Sequence, residues 1–271
     1  MSRFYSYLNT TQYIIKHYKG EMLLSIYLKD FFSNNKKYGS ADRKFISGLC
    51  YNYYRVGKGL KENSDIAEKI LAAIFLLERE PSSFLETLKP KWNNCIKEDF
   101  NTKVSLLKDA FDKKYIFSFT YNFSNGIDEA LFMESFLHQP KLFLRIRPGS
   151  EQTVLLKLKD AGLHFEQVSD HCIALNNGSK VDQIIQIDRE AVVQDYNSQR
   201  TSEIIQTILP QLDGDIDCWD CCAASGGKSI MLFDINKNIR FTVSDNRSSI
   251  LKNLDKRFKY AGIRKDRKSV G

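Results

Sequence analysis

Residues 220–229, DCCAASGGKS, end in Gly226, Gly227, Lys228 and Ser229, the residue types that close a phosphate-cradling loop. A loop of the form G-x-x-x-x-G-K-[ST] would place its first glycine at position 222, which here is Cys222. Ala223, Ala224 and Ser225 all carry a Cβ, so the loop is not shaped to wrap a triphosphate. That reading is weakened, and a second chemistry fits the spacing better. Small residues let the chain turn sharply after a strand, and Gly226 and Gly227 bring bare amides close to a ligand. A helix starting at Lys228 offers free N–H groups and a positive dipole end to an anion such as a carboxylate. Asp245 ends the next strand, 18 residues beyond Gly227, where an acid can accept both hydroxyls of a ribose. A ligand with a ribose at one end and a small carboxylate near the glycines matches S-adenosylmethionine. The spacing by itself specifies a nucleoside cofactor and leaves open which one. The alternative without a ligand is a structural turn, with Asp245 capping the following helix.

Cys218 and Cys221 form a C-x-x-C pair inside the segment expected to be a strand. A redox pair of this kind opens a helix instead, and zinc would need two further ligands at paired spacing. The four histidines, at 17, 138, 164 and 171, are scattered. No metal is expected, and the cysteines read as buried core residues.

The elements that would hold the turn follow a regular order. Strand 215–223, helix 228–236, strand 239–245 and helix 247–262 make a βαβα opening of a doubly wound parallel sheet. Upstream, strand 141–148, helix 150–162, strands 164–168 and 172–176, a helical turn at 180–185 and strand 191–195 form a small α+β piece. Helix 198–209 joins the two. The first ~140 residues carry apolar positions at helical spacing, such as Leu23, Leu24, Tyr27, Leu28 and Phe31, or Phe45, Ile46, Leu49 and Tyr53. Ser40 and Ser64 read as N-caps, and further helices are expected around 82–89, 102–111 and 128–137. The fold class is therefore α and α/β: helical domain 1–139, α+β subdomain 140–200 and an incomplete Rossmann-like domain 201–271.

The chain has 271 residues and a formal net charge of +7, unevenly distributed. Residues 1–62 hold eleven Lys and Arg against four Asp and Glu, and residues 252–271 hold eight against two, with an acidic stretch between. Basic ends suit a polyanion, although solvated helix faces have the same composition. Nothing approaches the ~18 apolar residues of a membrane span, and no signal-peptide pattern opens the chain. Six unevenly spaced cysteines do not form a disulfide framework, which points to the reducing cytoplasm.

DCCAASGGKS resembles the motif D-x-C-A-A-P-G-G-K-T of the Sun (Fmu) family of RNA cytosine-5 methyltransferases. VVQDYNSQ, at 192–199, is similar to the V-Q-D-x-x-S-Q segment ahead of that motif. The piece at 141–195 is similar to the family's small subdomain, and residues 36–55 resemble its NusB-like RNA-binding domain. The resemblance implies S-adenosylmethionine held by Cys222, Ala223, Ala224, Ser225, Gly226, Gly227 and Lys228, with Asp245 on the ribose. It implies RNA, ribosomal RNA first, held by Lys36, Lys37, Arg43, Lys44 and Arg55.

Two departures stand out. Ser225 replaces the usual proline, which is expected to loosen the turn, and Arg189 replaces a usual glycine; either is expected to lower cofactor affinity. The family's thiolate chemistry uses Pro-Cys and Thr-Cys motifs downstream of the ribose acid. No cysteine follows Cys222. The chain is accordingly expected to lack the catalytic half and to be inactive alone. The competing expectation is a non-catalytic RNA-binding or assembly protein that kept the fold and lost the cofactor; a P-loop NTPase ranks third.

Overall fold

The computed structural model describes residues 3–61, 65–117, 123–211 and 214–264. They divide into two compact units, Met1–Gln139 and Pro140–Gly271.

The first unit is helical: α1 (Arg3–His17), α2 (Leu24–Asn34), α3 (Ser40–Arg55), α4 (Ile66–Leu77), α5 (Ser83–Leu88), α6 (Pro90–Asn94), α7 (Phe100–Leu106) and α8 (Glu129–Ser135). Helix α4 is its axis: the seven residues from Ile70 to Leu76 are all buried, as in a helix surrounded by others. Phe75 stacks on Trp92 with ring centroids 5.3 Å apart.

Two of the expected caps fall elsewhere. Gly39 caps α3, and Asp42 three residues on accepts the Gly39 N–H at 2.9 Å, so Ser40 is already helical. Asp65 caps α4 by accepting the Ala67 N–H at 3.1 Å; Ser64 lies outside the described residues. The helix expected at 102–111 stops at Leu106 and gives way to a tighter turn at Lys108–Ala110.

The second unit opens with β1 (Leu142–Ile146), α9 (Glu151–Asp160), β2 (Phe165–Ser169), β3 (Cys172–Leu175) and β4 (Ala191–Val193). The four strands form an antiparallel sheet in the order β2-β3-β1-β4. Alternation along β1 decides how this sheet is used. Leu144 and Ile146 join Val154 and Leu158 of α9 in one core, while Arg145 and the next residue of that parity, Arg147, serve a different contact described below.

Helix α10 (Tyr196–Ile208), capped by Asp195, leads into β5 (Ile216–Asp220), α11 (Gly227–Ile235), β6 (Ile239–Val243) and α12 (Ser248–Ala261). Strands β5 and β6 are parallel, registered from Ile216–Ile239 to Asp220–Val243. Val192 of β4 shares a core with Ala223, Ile230, Leu254 and Phe258, which joins the two sheets into one body. The architecture is α and α/β with a helical N-terminal region. No helix among the described residues is long and apolar enough to cross a membrane.

One expectation about β5 is overturned. The strand ends at Asp220 instead of running to 223, and Cys221 and Cys222 are exposed, not core. All six cysteines are free thiols.

Candidate cofactor site and basic helical surface

After Asp220 the chain folds into a turn in which the Gly226 N–H donates to Ala223 O at 2.8 Å. Two residues take left-handed backbone angles, Ala224 (φ 46°) and Gly226 (φ 82°). Gly226 is required twice over. A Cβ there would sit 2.8 Å from Phe258 Cε1 and 3.1 Å from Leu254 Cγ, so α12 lies flush against the turn. At Gly227 a Cβ would meet the buried Gln194 side chain at 3.9 Å, an ordinary contact, so this glycine is not demanded by packing. Helix α11 starts at Gly227, with Lys228 exposed.

Ser229 is buried and donates its hydroxyl to Asp220 Oδ2 at 2.6 Å. In a triphosphate loop that hydroxyl would hold magnesium, so its engagement further weakens the P-loop reading.

Asp245, two residues beyond β6, reaches back to the turn. Its Oδ2 accepts the Ala224 N–H at 3.0 Å, and its carboxylate also receives the Arg247 N–H and guanidinium. The Arg247 guanidinium, followed by the backbone N–H groups, holds its pKa down at about 2. The acid is thus ionised throughout the neutral range, the acceptor state that hydroxyls require.

Ser225 is held, contrary to the looseness expected from the missing proline. Arg257 of α12 donates Nη1 to Ser225 O at 2.9 Å and Oγ at 2.7 Å, and grips Asp188 with Nε and Nη2 at 2.7–3.0 Å. Asp188 is buried and has φ 66°, so the strained residue lies next to the exposed Arg189. Its carbonyl accepts Arg147 Nη1 at 2.9 Å.

Arg147 and Arg145 converge on Asp234 of α11, with Nη2 of Arg147 and Nη1 of Arg145 each 2.7 Å from its oxygens. Burial pushes the Asp234 carboxyl up, but the two arginines outweigh it and leave the pKa below the usual range. Asp234, Arg147, Asp188, Arg257 and Ser225 therefore form one chain of contacts from the antiparallel sheet to the turn.

The segment at 192–199 has a structural role residue by residue. Val192 is core, Gln194 accepts Arg145 Nε at 2.9 Å, Asp195 caps α10, and Gln199 donates back to Gln194 O at 2.9 Å. Sequence reading missed Asp188, Arg247 and Arg257 as parts of the site. Asp188 and Arg257 are 69 residues apart, and no periodicity marks such a pair.

Two thiols near the turn are shifted away from the thiolate form. Cys222 is pushed up by Cys221, with the Asp245 and Asp220 carboxylates adding to the effect, and Cys218 is pushed up by burial. No group of three or more potential metal ligands occurs among the described residues.

In the helical unit, Lys36 and Lys37 are exposed in the α2–α3 connection, and Lys44, the fifth residue of α3, is also exposed. Arg43 is half-buried and donates Nε to Tyr38 O at 2.8 Å. Arg55 is separate, twelve residues on and roughly 18 Å along the helix axis at 1.5 Å per residue. It is half-buried, and burial lowers its pKa. It shares an outward helical spacing with Lys44 and exposed Tyr51, an aromatic residue that charge counting does not register. Reversing Lys36, Lys37 and Arg43 together is expected to weaken RNA binding. The slope of log affinity against log salt should fall by about 2, at ~0.7 per lost phosphate contact on a single strand. An unchanged binding curve would remove this surface from consideration.

No known family's sequence profile matches the chain, and no curated protein matches it. Eight chains of known structure do. One is the crystal structure of PH0851, which superposes with a TM-score of 0.50 at 13% identity, covering 96% of this chain and 67% of that one. At that identity the likeness speaks to the fold, a helical region followed by mixed α/β elements.

Proposed function

We propose that this chain is the RNA- and cofactor-holding part of an RNA cytosine-5 methyltransferase of the kind its motif resembles. The 222–228 turn takes the amino-acid end of S-adenosylmethionine, and Asp245 takes the ribose. The observation that carries this reading is the joining of Asp245 to the turn through the Ala224 N–H, which ties an ionised carboxylate to the strand-to-helix turn as the reading requires. Ribosomal RNA is the substrate class, bound by the basic helical unit. When bound, the cofactor supplies an electrophilic methyl group; the chain's own groups bind and orient it. Asp245 accepts hydroxyls, the α11 N-terminus faces the carboxylate, and the Arg257 contacts fix Ser225.

Retention of labelled S-adenosylmethionine by the 271-residue chain, with no methyl passed to RNA, is the expected result. Methyl transfer to RNA by this chain would refute the assignment of the catalytic cysteines elsewhere. One observation favours the non-catalytic alternative: Asp245 is already engaged by Arg247. Failure to retain cofactor while RNA binding persists would select that alternative.

A further inference from the structure

The two oxygens of Asp245 carry four hydrogen bonds. Oδ1 accepts the Arg247 backbone N–H at 3.0 Å and Arg247 Nε at 3.0 Å. Oδ2 accepts the Ala224 backbone N–H at 3.0 Å and Arg247 Nη2 at 3.2 Å. Each oxygen therefore receives one backbone donor and one guanidinium donor. A carboxylate oxygen offers about two lone-pair sites, so the acid is saturated as it stands.

The backbone donors are fixed by the turn and by the start of α12. The guanidinium donors are two N–H groups on one rigid fork, one to each oxygen. Two hydroxyls on adjacent carbons of a ribose present the same pattern, one donor per oxygen. The side chain of Arg247 is 56% exposed and that of Asp245 only 6%. The arginine can thus leave for water while the carboxylate stays in place on its backbone donors.

We propose that Arg247 is an internal competitor for the ribose-binding face of Asp245, and that a nucleoside binds by exchanging this guanidinium for its two vicinal hydroxyls. The inference rests on Asp245 being the ribose acceptor. It makes Arg247 a specificity-determining residue: only a ligand with both hydroxyls replaces both donors. A ligand that must displace a preformed contact binds more weakly by the fraction of time the site is free. A single pair whose arginine lies largely in solvent is worth little, so the penalty is modest, about two- to five-fold. Salt weakens such a pair, and nucleoside affinity therefore rises with ionic strength, the reverse of the sign expected for RNA.

The test is calorimetric titration of the full chain and of Arg247→Ala with S-adenosylmethionine, adenosine and 2′,3′-dideoxyadenosine. Urea denaturation of both chains serves as the control for folding. The expected result is binding of the first two ligands about two- to five-fold tighter to Arg247→Ala, with the dideoxy compound bound equally by both chains and an unmoved denaturation midpoint. Equal or weaker binding of S-adenosylmethionine and adenosine by Arg247→Ala overturns the inference and leaves the ribose reading standing. So does a gain that extends to the dideoxy compound. Binding of no nucleoside by either chain overturns the ribose reading and the inference with it.

Discussion

Asp234→Ala is expected to destabilise the 140–271 unit by about 3–5 kcal/mol, because it strands two buried arginines without their anion. Asp234 is 4% exposed, and Arg145 and Arg147 are 8% and 9% exposed. Removing the carboxylate takes two donors' acceptor from Arg147 and, among the described residues, the one anionic partner of Arg145. Nη2 of Arg145 already lacks a partner among the described residues, so that side chain has no slack. Hydrogen exchange reads the effect locally. Amides of β1 and α11 should exchange roughly a hundred-fold or more faster, while those of α4 in the other unit stay protected. Unchanged protection in β1 would show that the cluster is not what holds the antiparallel sheet to α11.

The same acid sets a pH dependence. Its folded pKa lies below that of an unfolded aspartate, about 3.9. Its contribution is therefore complete above that value and is lost as pH falls through the depressed folded pKa. Asp234→Ala should remove this part of the acid sensitivity.

Gly226→Ala is expected to produce the largest loss at the 222–228 turn. The substitution places a Cβ at φ 82° and drives it to 2.8 Å from Phe258 and 3.1 Å from Leu254. A left-handed non-glycine costs about 1–2 kcal/mol and overpacking about 1–3 more, so stability falls along with nucleoside binding. Gly227→Ala is the matched control, since its Cβ would have 3.9 Å of clearance. It should leave the melting temperature nearly unchanged and disturb nucleoside binding far less than Gly226→Ala, because its Cβ meets only Gln194 at ordinary contact distance. Equal melting temperatures for the two variants would contradict the packing of α12 against the turn.

Much of this was legible in the sequence, for identifiable reasons. The helices of the first unit follow from 3.6-residue apolar spacing, and the β-α-β-β order from short apolar strands separated by Gly and polar turns. The turn at 222–228 was legible because glycine and small residues are needed wherever backbone must turn sharply or approach closely.

The end of β5 was not. Ile216, Cys218, Trp219, Cys221 and Cys222 keep the segment apolar on both sides of Asp220, and hydropathy cannot register that the chain leaves the sheet there. The caps at Gly39 and Asp65 were misplaced by one residue because neighbouring serines are equally good formal candidates. The contacts of Arg257 with Asp188 and Ser225, and of Arg147 with Asp234, are invisible to any local pattern. They join charges brought together only when β1, the loop before β4, α11 and α12 converge. Ser225 shows the consequence: its departure from proline suggested a loose turn, whereas a distant arginine holds it.

The most direct test of the nucleoside assignment is calorimetric titration with S-adenosylmethionine, run on the 271-residue chain and on Asp245→Ala, with ATP and Mg²⁺ titrated in parallel. Binding of S-adenosylmethionine by the unmodified chain, its loss in Asp245→Ala and no heat from ATP is the predicted result. Equal S-adenosylmethionine affinity in the two chains, or magnesium-dependent ATP binding, would contradict it.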